Sequence, residues 1–228
     1  MARLRLPVLT STAVVVATVA AVVQYAVPAV VPAWQRDPAG LPPGLWWRLV
    51  TPLFVQTLGW YQVLVNLVTL AAVGAVAEQV LGRWRWALLF VGGAVGGQVA
   101  AYLWHEPGGG DSIGICGLAA GVVVTLLLGP APVPRLPAHV VVCYAAALAA
   151  WGARGAVGAG FAVAAAVLWL RLAPNAERIA LTGVAIVAPL MALRHDLHGA
   201  ALVAGIMVGA AVRPALRRPD RECSGVRG

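Results

Sequence analysis

A few polar side chains lie inside long apolar runs of this sequence, and they are the residues able to do chemistry. Cys116 lies in the stretch GGGDSIGICGLAAG, where an apolar run begins, and His198 lies near the start of the last apolar run. Gln62 and Asn66 are four residues apart, so they share one face of a helix. A thiol that faces an imidazole can support nucleophilic chemistry. Alone, a buried cysteine is usually an inert small hydrophobe, and buried amides often only bond neighbouring helices.

Small residues predict that the helices of Cys116 and His198 pack closely. Both helices present them at helical spacing: Ala201, Gly205 and Gly209 follow His198, and Gly117 and Gly121 follow Cys116. Such surfaces let two helix backbones approach each other in a membrane. We therefore expect Cys116 to face His198 across this contact. The glycines beside Cys116 also predict a tight turn into the membrane that leaves this thiol accessible to water.

The composition indicates an integral membrane protein. Hydrophobic residues make up 61% of the 228 residues and charged residues only 11%, whereas soluble domains carry about 25% charged residues. The net charge of +8 comes from arginine alone. In a membrane protein such an excess is an orientation signal rather than a sign of nucleic-acid binding. Three cysteines without paired spacing argue against a disulfide framework.

Apolar runs separated by short polar breaks predict an all-α polytopic fold with about eight transmembrane helices. We expect spans near residues 8–31, 58–81, 86–104, 113–129, 138–153, 156–171, 179–193 and 196–212. With both termini cytoplasmic, 12 arginines lie inside and only Arg36, Arg48, Arg154 and Arg194 lie outside, which agrees with the positive-inside rule. The sequence thus predicts a plasma-membrane transmembrane domain over 1–212 and a basic, disordered cytoplasmic tail over 213–228.

Several motifs together resemble the rhomboid family of intramembrane proteases. They are Trp47-Arg48 in the first external loop, Asn66 followed by Gly74-x-x-x-Glu78-x-x-x-Gly82, Gly114-Ile115-Cys116-Gly117, and His198-x-x-Ala201-x-x-x-Gly205. The third stands where rhomboids carry Gly-x-Ser-Gly, and the fourth is similar to their His-x-x-Gly-x-x-x-Gly. The resemblance implies a six-helix rhomboid core, with an extra helix pair between the Cys116 and His198 spans.

The resemblance also implies a site. Cys116 stands in place of the family's serine nucleophile, with His198 as its base. Gln62, Asn66 and Gly114, together with the backbone N–H of Cys116, would hold the oxyanion. Gln62 replaces a histidine of the family pattern, and the aromatic residue usual four positions after the nucleophile is Ala120.

Two functions remain open at this point. One is an intramembrane endopeptidase that cuts transmembrane segments with a Cys116–His198 dyad, because cysteine and histidine are a competent pair in other proteases. The other is a rhomboid-like pseudoprotease that binds transmembrane clients without cutting them. Both imply a transmembrane protein as substrate or client, and neither implies a cofactor, a metal or a nucleic acid.

Overall fold

The protein is an all-α, multi-pass membrane protein. A computed structural model describes residues 6–37, 39–41, 43–129 and 132–212. Its α-helices are α1 (Val8–Ala26), α2 (Val30–Trp34), α3 (Trp60–Leu81), α4 (Arg83–Leu103), α5 (Ser112–Leu128), α6 (Arg135–Leu172), α7 (Ala176–Leu193) and α8 (Leu197–Ala211). Two short 3-10 helices, Trp46–Leu49 and Thr51–Phe54, lie in the loop before α3. The predicted tail 213–228 lies outside the described residues.

Helix α6 is a hairpin of two apolar segments, Arg135–Gly152 and Arg154–Leu172. Gly155 has φ 63° and ψ −156°, which breaks the helix. A Cβ added to Gly158 would lie 3.2 Å from the carbonyl oxygen of Ala150, whereas eight residues of straight helix span about 12 Å. The chain therefore reverses its direction near Gly155. This reversal accounts for two of the predicted spans, 138–153 and 156–171.

Among the described residues, six helical segments are long and apolar enough to cross a membrane, and α5 and α8 are two shorter apolar helices. The first predicted span, 8–31, is too long: α1 ends at Ala26, and α2 is a separate short helix. Pro28 explains the break, because a residue before proline is disfavoured in the helical region. Val27 accordingly has φ −128° and ψ 88°.

Polar contacts show which helix termini lie at the same end of the bundle. Arg135 Nε lies 3.5 Å from Glu177 Oε1, so α6 and α7 begin at the same end. The start of α1 contacts Glu78 near the end of α3, which brings α1 to this end also. We call it the lower end, and the end where α3, α5 and α8 begin the upper end. The four arginines predicted to lie outside are all at the upper end; they are Arg36, Arg48, Arg154 and Arg194. Five of those predicted to lie inside, Arg83, Arg85, Arg135, Arg171 and Arg178, are at the lower end, and the other seven lie outside the described residues.

This arrangement makes a testable prediction of sidedness. A reporter fused after Gly110, at the upper end, and one fused after Val212, at the lower end, are expected on opposite sides of the membrane. From the positive-inside rule we expect the lower end in the cytoplasm. Paired phosphatase and fluorescent-protein fusions at the two positions measure it. Both reporters on one side would contradict the parity of the helices.

Helix α5 is the centre of the bundle. It packs against α3, α4, α6, α7 and α8, and almost its whole surface is buried. By contrast, Val19 and Val22 on α1 and Phe161 on α6 are largely exposed, as expected for side chains that face lipid. The helix that carries Ser112 and Cys116 is thus held from every side.

Glu78 fastens α1 to α3. Its carboxylate accepts hydrogen bonds from the backbone N–H groups of Leu9 (3.1 Å) and Thr10 (2.9 Å) and from the Thr10 hydroxyl (3.0 Å). These N–H groups belong to the first turn of α1, where backbone N–H groups have no acceptor within the helix. A Cβ on Gly74 would lie only 2.8 Å from Thr10 Cγ2, so a larger residue there would displace the Thr10 side chain. Gly82 ends α3 with φ 79°. The Gly74-x-x-x-Glu78-x-x-x-Gly82 pattern therefore docks α1 and turns the chain.

Glu78→Gln is expected to lower the free energy of unfolding by about 1–3 kcal/mol, because charge-assisted bonds to buried N–H groups weaken and one amide hydrogen is left without an acceptor. Unfolding in detergent measures the change. Glu177→Gln is the matched control, since its partner Arg135 is largely exposed and such pairs contribute about 0–1 kcal/mol. Equal losses in the two variants would contradict the capping role of Glu78.

Candidate active site

Ser112, His198 and Asp196 form a chain of hydrogen bonds at the upper end of the bundle. Ser112 Oγ lies 3.1 Å from His198 Nε2, and His198 Nδ1 lies 3.0 Å from Asp196 Oδ1. Ser112 is the first residue of α5, and Asp196 is the N-cap of α8, which begins at Leu197. All three side chains are partly exposed. A hydroxyl, an imidazole and a carboxylate in this order can act as nucleophile, base and orienting group.

The Cys116 thiol lies one helical turn further into the bundle. Its side chain is completely buried, and its Sγ lies 3.4 Å from the Tyr144 hydroxyl. The same hydroxyl donates to the backbone carbonyl of Ser112 at 3.2 Å. The prediction that Cys116 is accessible to water is wrong, because α5 is enclosed by five helices.

His198 has a different partner from the one that we predicted. Among the contacts of the described residues, the hydrogen bonds of its ring go to Ser112 and Asp196, and the thiol of Cys116 bonds Tyr144. Ser112 and Cys116 are four residues apart and so share a face of α5. The predicted face of α5 was therefore the one that contacts His198, but the residue at its accessible end is the serine.

Close contacts between glycines bring α5 and α8 together. A Cβ on Gly205 would lie 2.8 Å from both Gly117 Cα and Ala120 Cβ, and a Cβ on Gly209 would lie 3.3 Å from Gly121 Cα. Ala201 is completely buried on the same face. This is the helix contact that the small residues predict. It holds the start of α8 beside the start of α5 and so sets the distance between His198 and Ser112.

Asn66 belongs to a buried polar cluster beneath Ser112. Its amide nitrogen donates to Asp111 Oδ1 (2.9 Å) and Gln56 Oε1 (2.8 Å). Gln56 Nε2 also donates to Asp111 Oδ1 at 2.9 Å, and Gln56 pairs through its backbone with the side chain of Gln24. These contacts fix Asp111, the residue immediately before Ser112. A primary amide carries two hydrogens, so the bonds to Asp111 and Gln56 use both hydrogens of Asn66.

Gln62 contacts the glycine loop that precedes α5. Its amide nitrogen donates to the carbonyl of Gly109 at 2.8 Å, and its oxygen accepts the N–H of Leu58 at 2.8 Å. A Cβ on Gly109 would lie 2.7 Å from the carbonyl oxygens of both Pro52 and Val55. The loop thus packs closely on the segment before α3.

Gly114 is not placed to hold an oxyanion. Its N–H donates to the carbonyl of Asp111 at 2.9 Å, and a Cβ there would lie 2.6 Å from the Phe90 ring. Its role is therefore close packing against α4. The N–H groups of Ser112 and Ile113 precede this first intrahelical bond, and the Asp111 side chain does not cap them. From helix geometry, we expect these two N–H groups to be the free backbone donors at the start of α5.

Trp47 and Arg48 lie in the loop between α2 and α3. Trp47 is partly exposed, whereas Arg48 binds Asp37 Oδ2 (3.4 Å) and the carbonyl oxygens of Pro32 and Ala33. Tyr102 of α4 donates to the Arg48 carbonyl at 2.7 Å. The buried Arg36 guanidinium binds Gln98 and the Glu106 carbonyl in the same region. These contacts hold the loop between α2 and α3 against α4.

An apolar cavity of about 560 Å³ lies between this loop and α4, with Leu49, Val99 and Tyr102 among its walls. It contains neither Ser112 nor His198, so its size does not make it the reactive centre. Within the described residues no cluster of three or more histidine, cysteine, aspartate or glutamate side chains can hold a metal ion.

The sequence motifs did not identify four residues of this site: Ser112, Asp196, Asp111 and Tyr144. Asp196 had a local signal, since aspartate two residues before His198 is a typical N-cap position. Ser112 also had one, because the run Asp-Ser opens the helix one turn before Cys116. Tyr144 and Gln56 are far from Ser112 in sequence and gave none.

Comparison with protein families supplies the context for this arrangement. The family model described as Rhomboid domain matches residues 43–165, which is more than half of the chain. The matched range contains Ser112 and Cys116 and ends before Asp196 and His198. No curated protein and no solved structure matches the chain.

Proposed function

The chain belongs to the rhomboid family, and from this premise we propose that it is an intramembrane serine peptidase in which Ser112 is the nucleophile and His198 the general base. The observation that carries the proposal is the 3.1 Å contact between Ser112 Oγ and His198 Nε2. This distance is within hydrogen-bond reach for proton transfer. The proposed substrate is a transmembrane protein segment that enters the upper half of the bundle.

The lengths of two helices support a site below the membrane surface. Helix α5 has 17 residues and α8 has 15, which correspond to rises of about 26 Å and 22 Å. The hydrocarbon core of a bilayer is about 30 Å thick. With the lower ends of α5 and α8 at the cytoplasmic boundary, Ser112 and His198 lie inside the depth of the bilayer. We place the upper end on the outer side of the plasma membrane.

The proposed reaction uses the residues that meet at the start of α5. Ser112 Oγ attacks the scissile carbonyl carbon while His198 Nε2 takes the hydroxyl proton. The tetrahedral intermediate collapses, the C–N bond breaks, and His198 returns the proton to the leaving amine. A water molecule, deprotonated by His198, then hydrolyses the acyl ester and restores Ser112.

Donors for the oxyanion come from the backbone and from Gln62. The N–H groups of Ser112 and Ile113 lie at the start of α5, where the helix dipole also favours negative charge. Gln62 uses one amide hydrogen on the Gly109 carbonyl, and the other is available because a primary amide carries two. Asn66 instead supports the site by holding Asp111.

Cys116 fits the nucleophile's role less well than Ser112. Its thiol is buried, and its hydrogen-bond partner Tyr144 is a weak base compared with an imidazole. Ser112 is partly exposed and contacts the imidazole directly. The serine therefore replaces the cysteine in the proposed dyad, and Cys116 packs beneath it.

A second candidate is a pseudoprotease that holds transmembrane clients without cleaving them. The observation in its favour is that both amide hydrogens of Asn66 are engaged by Gln56 and Asp111, so this amide donates nothing to an oxyanion. The test is incubation of the purified protein in liposomes with a fluorescent transmembrane substrate. Cleavage products support the peptidase, whereas stable retention of the uncut helix supports the pseudoprotease.

A further inference from the structure

The acidic group beside His198 has a function of its own in this geometry. We propose that Asp196 is a positioning residue that holds the His198 imidazole with its proton on Nδ1, so that Nε2 is free to accept the proton of Ser112. This inference rests on the proposed Ser112–His198 function. It extends that function from a pair of residues to three.

The two ring nitrogens of His198 have different partners. Nδ1 lies 3.0 Å from Asp196 Oδ1, and Nε2 lies 3.1 Å from Ser112 Oγ. A carboxylate only accepts hydrogen bonds, and a neutral imidazole has one N–H. The N–H of the neutral ring must therefore be on Nδ1, which leaves a lone pair on Nε2 toward the serine hydroxyl. The tautomer required of a general base follows from the partner on the far side of the ring.

The carboxylate is itself held in place. Asp196 Oδ1 also accepts the backbone N–H of His198 at 2.8 Å, which caps the start of α8. The Asp196 N–H donates to the Met191 carbonyl at 3.0 Å, and Gly152 at the turn of α6 brings its Cβ position to 3.7 Å from Asp196 Oδ2. The ring of His195, the residue before Asp196, stacks on the Trp104 ring with the two ring centroids 5.1 Å apart. The loop before α8 is thus held by α7 and by Trp104 at the end of α4.

Asp196 Oδ1 faces both the backbone N–H and the ring Nδ1 of His198, an arrangement that suits an acceptor-only carboxylate. An ionised carboxylate beside Nδ1 also stabilises the imidazolium that forms when Ser112 loses its proton. An N-cap needs no charge for its own function, since serine and asparagine cap helices about as well as aspartate.

That equivalence separates the two functions of Asp196 in an experiment. Asp196→Ser keeps the N-cap but is too short to bond the ring, and Asp196→Asn keeps both the cap and an acceptor but loses the charge. In liposome cleavage assays we expect kcat to fall about 100-fold in the serine variant, the scale of general-base catalysis, and at least as much in the asparagine variant, whose amide N–H can bond Nδ1 and leave the ring proton on Nε2. KM and the thermal unfolding midpoint are expected to stay close to those of the native chain.

Nitrogen-15 NMR of histidine-labelled protein gives a readout that does not depend on cleavage. The chain has four histidines, and His198→Gln assigns the signal of interest. We expect the Nδ1–H form of His198 in the native chain and a mixture of tautomers in Asp196→Ser. Native kcat in both Asp196 variants, or an Nε2–H form in the native chain, would overturn the inference. If the native chain cleaves no substrate but shows the Asp196-dependent tautomer, the peptidase proposal fails and the positioning of His198 stands.

Discussion

Ser112→Ala is expected to lower the cleavage of a transmembrane substrate by about 10⁴-fold or more, the scale of losses when the nucleophile of a catalytic triad is removed. Cys116→Ala is expected to retain most of the activity, because the thiol is buried and a small apolar side chain fills a similar space. Rates of product formation in liposomes, with equal amounts of folded protein, measure both variants. The comparison decides which of the two residues is the nucleophile.

Labelling with a fluorophosphonate probe is an independent check on this comparison. The probe is expected to label the native chain and Cys116→Ala, and to leave Ser112→Ala and His198→Ala unlabelled, because an unactivated hydroxyl reacts too slowly. Full activity in Ser112→Ala together with its loss in Cys116→Ala would reverse the assignment and restore the cysteine dyad. Labelling of Ser112 without cleavage of any transmembrane substrate would favour the pseudoprotease.

The sequence pattern identified Cys116, which lies one helical turn after Ser112 on the same face of α5. The pattern Gly114-Ile115-Cys116-Gly117 places a nucleophilic side chain between glycines, and the small residues of α5 and α8 correctly predict that this face meets His198. The height of His198 along α5 depends on where α8 begins. That position follows from the Asp196 N-cap and the turn after α7. A shift of four residues keeps the face of the helix but changes the side chain that is in reach.

The fold was more accessible to prediction than the site, because membrane solvation acts on whole segments. Long apolar runs must become helices in lipid, since only helices satisfy their own backbone groups there. The reversal at Gly155 was also predictable from Arg154, which interrupts an apolar run. The contacts of Asp111 with Gln56 and Asn66, 55 and 45 residues away, depend instead on how the helices pack. No local pattern carries that information.

Gly117→Ala is expected to destabilise the protein by about 3 kcal/mol or more, at the upper end of the costs of overpacking. A Cβ at this position would overlap the carbonyl oxygen of Leu89 and lie 2.8 Å from Gly93 Cα. Both are backbone atoms of α4, so no side chain can rotate away. On α8, the Cβ position of Gly205 is also only 2.8 Å from Gly117. The extra methyl group must therefore push α4 away from α5.

Displacement of α4 from α5 also predicts a loss of activity, because α8 packs on both of these helices and carries His198 opposite Ser112. Gly183→Ala on α7 is the matched control, since its Cβ position has no atom within 4 Å, and alanine in a helix interior stabilises by about 0.5–1 kcal/mol relative to glycine. Thermal unfolding and cleavage rates in the same liposomes measure both variants. An unchanged midpoint in Gly117→Ala would show that the α4–α5–α8 contact has room for a methyl group. In that case the distance between Ser112 and His198 would not depend on glycine at this position.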